Sequence, residues 1–413
     1  MKIDFKQIVL STALVSLVAP AALAQTPDNP FARGRYTAVT ERSQSAFDPE
    51  AVRVGAFELW SSLGLSAEHN DNVFATESNA VSDTIFRIRP EAELRSNWSS
   101  HELAIGASAD HREYDELSSE TTTDYNTYAR GRLDVQRSLQ LHGRVASEHN
   151  TESRYEPASA TSPEPAQFEV FGVEAGATFR SDRFMLDGRA GVRESDFEDD
   201  VNFGFRDLEE TYYNGRASYA ISPNVAVFVQ GRHSELDYDI TSVPNRDGTR
   251  SSAEVGASFE LEAPFRGEIA VGSLKDEKDD PTLNDTEGLS VATSVMWFPT
   301  QLTTVTFRAN RSTFDPGLVT SPTAVGTTVS ARVDHELRRN ILLFGEVEVG
   351  KYDFEDITRE DDFTNVSLGA GYKLNKHARV EASYHYHDRS EDFGATDRNI
   401  SQNIFGIGLR IFP

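Results

Sequence analysis

The chain has no cysteine, three methionines, three tryptophans and only seven lysines among its 413 residues. Without cysteine there is no disulfide frame, so a small stapled secreted scaffold is excluded. Beyond Ile8–Ala22 no stretch approaches the ~18 apolar residues of a transmembrane helix, so a helical membrane protein is excluded too. Cations are outnumbered: 40 Lys and Arg against 66 Asp and Glu, a formal charge of −26. That balance argues against nucleic acid as a partner. Neither a Gly-x-Ser-x-Gly elbow nor a His-Glu-x-x-His motif occurs, so no catalytic residues, no cofactor and no enzymatic activity are expected.

The N-terminus does carry a signal. Lys2 and Lys6 precede the apolar run, and Ala22-Leu23-Ala24 is a small-x-small cleavage site. Residues 1–24 therefore read as a signal peptide, and residues 25–54 as an N-terminal extension on the periplasmic side. Residues 55–413 read differently. There the text alternates apolar and polar over segments of about 10–15 residues, the period of a strand with one wet face.

Eighteen such segments can be counted, from Phe57, Leu59, Leu63, Leu65 to Phe405, Ile407, Leu409, Ile411. Tight turns such as Ser181–Arg183, Ser222–Asn224 and Arg338–Asn340 alternate with longer polar links such as Pro157–Pro165 and Thr241–Arg250. Short turns on one rim and long loops on the other predict an all-β, transmembrane, antiparallel up-and-down barrel of about 18 strands. Its place is the bacterial outer membrane. The negative mean hydropathy is no objection, since each strand shows lipid only half its residues.

Several segments close on an aromatic beside an acid. The aromatics are Tyr114, Tyr155, Phe197, Tyr238, Phe314 and Tyr352, and they predict an aromatic girdle at the outer lipid interface. Pro90 falls inside the second strand and predicts a bulge or a break in its ladder. The last strand, with Gly406, Leu409 and Ile411 before Phe412-Pro413, resembles the signal read by the barrel-assembly machinery.

Opposite the apolar faces lie charges. Arg89, Arg130, Arg132, Arg144, Arg189, Arg216, Arg232, Arg308 and Arg332 would form a belt near mid-lumen. Two roles fit. The guanidinium groups could select anions. They could also pair with wall carboxylates such as Glu91, Glu93, Asp134, Glu174, Asp187 and Glu346 and stiffen the barrel. His385 and His387 share that face without a visible third ligand, so no metal is expected. The acidic clusters Glu194–Asp200, Asp276–Asp280 and Asp353–Asp362 read as solvated loops, or as divalent-cation bridges to lipopolysaccharide.

One stretch carries a resemblance. Glu68-His69-Asn70-Asp71-Asn72-Val73-Phe74, then Thr84–Pro90 and His101-Glu102-Leu103, resemble the β-barrel porin family of Gram-negative bacteria that is often encoded in exopolysaccharide clusters. The resemblance implies a channel for a secreted polysaccharide, with outer-membrane lipid and lipopolysaccharide around it and a periplasmic polysaccharide-export protein beside it. A general or anion-preferring uptake porin and a non-conducting anchor or receptor barrel are the alternatives.

Overall fold

The computed structural model describes residue 31 and residues 34–159, 162–198, 203–239, 244–262 and 264–413. Residues 1–24, expected to be a signal peptide, and most of residues 25–33 lie outside the described residues. A short strand, β1 (Val52–Val54), precedes eighteen long ones. These are β2 (Phe57–Asn70), β3 (Asp83–Ser96), β4 (Glu102–Tyr114), β5 (Thr122–Gln136), β6 (Leu139–Thr151) and β7 (Gln167–Arg180). Then come β8 (Phe184–Phe197), β9 (Leu208–Ser222), β10 (Val225–Tyr238), β11 (Gly248–Glu260), β12 (Phe265–Lys278) and β13 (Thr286–Thr300). The last are β14 (Thr303–Phe314), β15 (Ala324–Arg338), β16 (Ile341–Phe354), β17 (Glu360–Lys373), β18 (Ala378–Asp392) and β19 (Asp397–Ile411).

Each long strand pairs antiparallel with its sequence neighbour, and β19 pairs with β2. The sheet is thus a closed 18-stranded barrel. Closure satisfies the backbone groups that an open edge would leave unpaired in hydrocarbon. At about 3.3 Å per residue and a tilt near 40°, such strands stand roughly 35 Å tall, enough to cross the apolar band. Outward residues such as Ile407, Val255, Ile105 and Phe171 are exposed, as lipid-facing side chains must be in the isolated chain. Register irregularities sit beside the short turns at Gln136, Val225, Thr300 and Arg338. Tight hairpins absorb their twist in this way.

The seam between first and last barrel strands is short. Ile404–Ile411 pairs with Leu63–Asn70 and no further. Below Leu63, β1 takes over, with Val52 opposite Leu59 and Val54 opposite Phe57. Above Asn70, the loop beginning at Asp71 takes over. Asp71 accepts from the Asn403 backbone N–H at 2.7 Å, and Asn72 donates to the Ser401 carbonyl at 2.9 Å and the Thr76 carbonyl at 2.7 Å. The Asn-Asp-Asn of the resembling stretch is therefore what completes the seam.

Pro90 breaks the ladder without a bulge. Pairing with β4 lapses at Arg89 and Pro90 and resumes at Glu91 in the same register. On the other side Pro90 stays opposite Leu63. Only the missing N–H is lost, so the strand has no reason to shift.

Candidate functional site

The lumen is the one wet interior the fold encloses, and strand alternation decides what lines it. Odd-numbered residues of β3 point inward and bring Asp83, Arg87, Arg89, Glu91, Glu93 and Arg95 to the lumen, whereas the inward, even-numbered residues of β13 carry no charge. Eight of the nine belt arginines have a carboxylate in reach. Arg130 meets Glu93 at 3.1 Å, Arg132 meets Asp134 at 3.1 Å, and Arg189 meets Asp187 at 3.1 Å. Arg216 forks onto Glu268 at 2.6 and 3.0 Å, and Arg232 reaches Glu210 at 2.7 Å. Arg332 joins Asp334 at 3.0 Å and Glu346 at 3.2 Å, and Arg308 reaches Glu346 at 3.5 Å. Arg144 is 3.6 Å from Glu148. Arg144 and Arg308 are still about half exposed inside the barrel, at 49% and 47%, so paired does not mean buried. Arg89 is the member without a carboxylate: it gives one hydrogen bond, to Ser66 Oγ at 3.4 Å.

The six aromatics assigned to an outer girdle face the other way. Phe197, Tyr238, Phe314 and Tyr352 are buried inside the extracellular end of the barrel, and Tyr155 is buried within a loop. Tyr114 lies on the same inward parity as Asp110 and Arg112. Alternation itself carried this information, since Phe197 is one step out of phase with the lipid-facing Phe184, Leu186 and Val192. Outward aromatics include Phe86, Tyr125 and Phe171 toward the extracellular end and a further group at the opposite rim. Trp98, Phe179, Phe184, Tyr219, Trp297 and Tyr372 are exposed there, and Phe57–Trp98 and Phe184–Tyr219 pack ring to ring at 5.7 and 4.8 Å. A girdle exists, at the periplasmic interface.

The inward aromatics support a cap over the extracellular mouth. The nine loops there contain four cations, one each in four loops: Arg154, Arg206, Arg246 and Arg359. All four are buried in ion pairs. Arg154 holds Glu120 of another loop at 2.6 Å and donates to the Ser159 and Ser162 carbonyls. Arg206 holds Glu152 at 2.5 Å, and Arg246 holds Asp315 at 2.6 Å. Arg359 clamps Asp361 at 2.7 Å and Glu391 at 3.0 Å. The loop after β6 then reaches across to β18, where Arg389 donates to the Tyr155 carbonyl and lies 4.6 Å beneath its ring. Gly317 (φ +71°) makes the crowding possible, because a Cβ there would meet Arg206 Cζ at 2.6 Å and Ala158 Cβ at 2.8 Å. Burial first, and the nearby Glu152 carboxylate second, push Glu156 up to about 7. Asp315 is partly buried, yet Arg246 and Arg206 hold it below the usual carboxylate range.

A different segment lines part of the periplasmic mouth. Residues 35–50 run along the inner rim from β11 to β17. Glu260 accepts from the Arg35 backbone N–H at 2.6 Å, Tyr36 stacks on Phe298 at 5.2 Å, and Val39 N–H donates to Thr304 Oγ1 at 3.0 Å. Arg266 reaches back to Glu41 at 2.6 Å, Arg42 to Glu336 at 3.2 Å, and Lys373 to Asp48 at 3.0 Å.

The remaining sequence candidates are occupied by ordinary partners. His387 Nδ1 lies 2.9 Å from Asn365 Oδ1 and His385 Nδ1 lies 3.0 Å from Ser367 Oγ. No cluster of three metal-ligating groups occurs among the described residues. Asp276 is taken by Arg250 at 2.8 Å and Lys278 at 3.0 Å. Asp199 and Asp200 lie outside the described residues.

The sequence of residues 45–412 matches a family described as "Putative beta-barrel porin 2". The chain belongs to that family. Its porin barrel resembles solved outer-membrane barrels at very low identity. The FrpB iron transporter of Neisseria meningitidis aligns at TM-score 0.50 and 8% identity, over 88% of this chain and 82% of that one. The outer-membrane protein OpdK of Pseudomonas aeruginosa, solved also with vanillate, aligns at TM-score 0.51 and 10% identity, over 86% of this chain and 99% of that one. At such identity these likenesses speak for the fold alone. Among curated proteins none matches the sequence. The porin resides in the bacterial outer membrane.

Proposed function

We propose that this porin is a diffusion channel for a hydrophilic polysaccharide leaving the cell. The observation that carries the reading is the lumen wall. Eighteen strands enclose a width that side chains alone do not fill, and the inward faces are polar, charged and largely neutralised in pairs. Such a wall offers hydrogen bonds to hydroxyl groups and little net field. The resemblance to porins of exopolysaccharide clusters points the same way. A periplasmic export protein would meet the barrel at the rim where residues 35–50 lie. Lipopolysaccharide would meet the acidic loops, and the assembly machinery would meet β19.

The half-exposed Arg144 and Arg308 favour a second reading, an anion-preferring uptake porin. Planar-bilayer recording separates the two. The export reading expects conductance with weak ion preference, and replacing Arg144, Arg189, Arg216 and Arg332 together should leave that preference small. A strong anion preference lost in that variant would establish the second reading. A well-folded, heat-modifiable barrel that never conducts would remove both and leave an anchor.

A further inference from the structure

Arg89 stands out because its neighbours are all engaged. Beside it on β3, Arg87 holds Glu68 at 3.1 Å and also Asp110. Arg410 of β19 holds Glu91 at 3.1 Å, and Arg112 holds Asp124 at 2.7 Å. The guanidinium of Arg89 has Nε buried with no acceptor, and among the described residues no carboxylate is within ion-pair distance. It lines a recess of about 260 Å³ in the inner wall beside the β19–β2 seam. Gly406 helps keep the recess open: a Cβ there would come within 2.9 Å of Ser383 Oγ and 3.2 Å of Glu68 Cγ. Ser108, Asn126, Asn150 and Ser383 also line it, and their side chains make no hydrogen bond among the described residues.

We propose that this recess binds a polyhydroxylated carboxylate about the size of one hexuronate ring, its carboxylate on Arg89 and its hydroxyls on the serines and asparagines. The chemistry follows from what is already satisfied. Each carboxylate facing the recess has a guanidinium, including Glu381 with Arg379 at 3.6 Å, so a cation has no free partner there. Arg89 offers a planar fork that a carboxylate fills with charge-assisted bonds. The neutral hydroxyl and amide groups both donate and accept, as sugar hydroxyls require. The site rests on the channel reading only for access from the lumen.

Isothermal titration of D-glucuronate into the full-length barrel, folded in detergent at low salt, tests it. The wild type should bind saturably, with glucose and acetate each weaker by about ten-fold or more. Arg89→Gln should lose about ten-fold or more in glucuronate affinity, and Arg89→Lys should recover part of it. Asn126→Ala with Asn150→Ala should weaken glucuronate and leave acetate unchanged. Heat-modifiable migration checks that each variant is folded. A wild type that does not bind glucuronate, that binds glucose equally well, or that is matched by a folded Arg89→Gln overturns the site. Binding by a barrel that is silent in bilayers keeps the site and removes the channel; conductance without binding does the reverse. A short oligogalacturonate that competes with glucuronate identifies the ligand as a unit within a polymer, and the monomer alone identifies a free sugar acid.

Discussion

The two mouths of the barrel are covered by opposite means. At the extracellular side, several loops, each tied to two adjacent strands, are bolted together by arginines buried against carboxylates. Arg206 and Glu152 are 4% and 1% exposed. At the periplasmic side, a single strap is tied to the barrel at β1 and held by a row of largely buried contacts that ends in water. Its outermost ion pair, Lys376 with Glu50, is largely in water. A buried ion pair costs several kcal/mol to break on one side, whereas an exposed one contributes about 0–1 kcal/mol. The lesson is that the extracellular cap is bolted loop to loop, whereas the strap is one segment held only by what it touches on the barrel wall, through largely buried pairs such as Arg266–Glu41 and Lys373–Asp48.

The largest effect should come from the strap. Removing residues 35–50 is expected to raise single-channel conductance roughly two-fold or more, since an open barrel of this strand number carries an aqueous passage. The chain has no cysteine, so a Val39→Cys, Thr304→Cys pair offers the complementary test: oxidised, it should hold conductance at or below the wild-type level. Equal currents from deleted, locked and native barrels would erase the distinction between the mouths.

Next comes the cap. Arg206→Ala leaves Glu152 buried beside Ser159 with its ion-pair partner gone, and should cost about 3–5 kcal/mol of cap stability. Limited proteolysis should then cut in the loop after β6 while heat-modifiable migration of the barrel stays normal. Resistance equal to wild type would mean the pair is ornamental.

A smaller effect is set by pH. Glu156 has a raised value in the folded cap, about 7 against an ordinary 4.5, so folding favours its protonated form. Its stabilising share is complete below about 4.5 and is lost as pH rises through about 7. Hydrogen exchange in residues 152–159 should quicken over that interval, and Glu156→Gln should flatten the change. The smallest effect belongs to Pro90→Ala, which supplies the missing donor and should shift thermal unfolding by no more than about 1 kcal/mol in equivalent stability. A collapse of folding would show that the interrupted ladder has a purpose.

Much of this was legible in the sequence. Period-2 alternation located all eighteen barrel strands, because the lipid face leaves no choice of phase. The short turns were legible for the same reason, as each sits where two apolar phases meet. The six aromatic–acid pairs form no outer girdle; they recur at a regular spacing that hides their phase, and Phe197 and Tyr352 belong to the inward set. β1 was missed because three residues carry no period. The cap's staples could have been suspected from one signal, single arginines in otherwise acidic loops, but which carboxylate each one takes depends on loops folding over one another. The strap had no signal at all, since residues 35–50 are mixed in character and their partners lie more than 200 positions away.

The paired lumen has an electrical consequence. Opposite charges about 3 Å apart act as dipoles, whose potential dies away within a few ångströms, and at physiological salt the remainder is screened over about 8 Å. A long molecule threading such a passage would move over many shallow, local wells along the paired wall. Its direction would then be set by which side supplies it, and the wall would set only how much it drags.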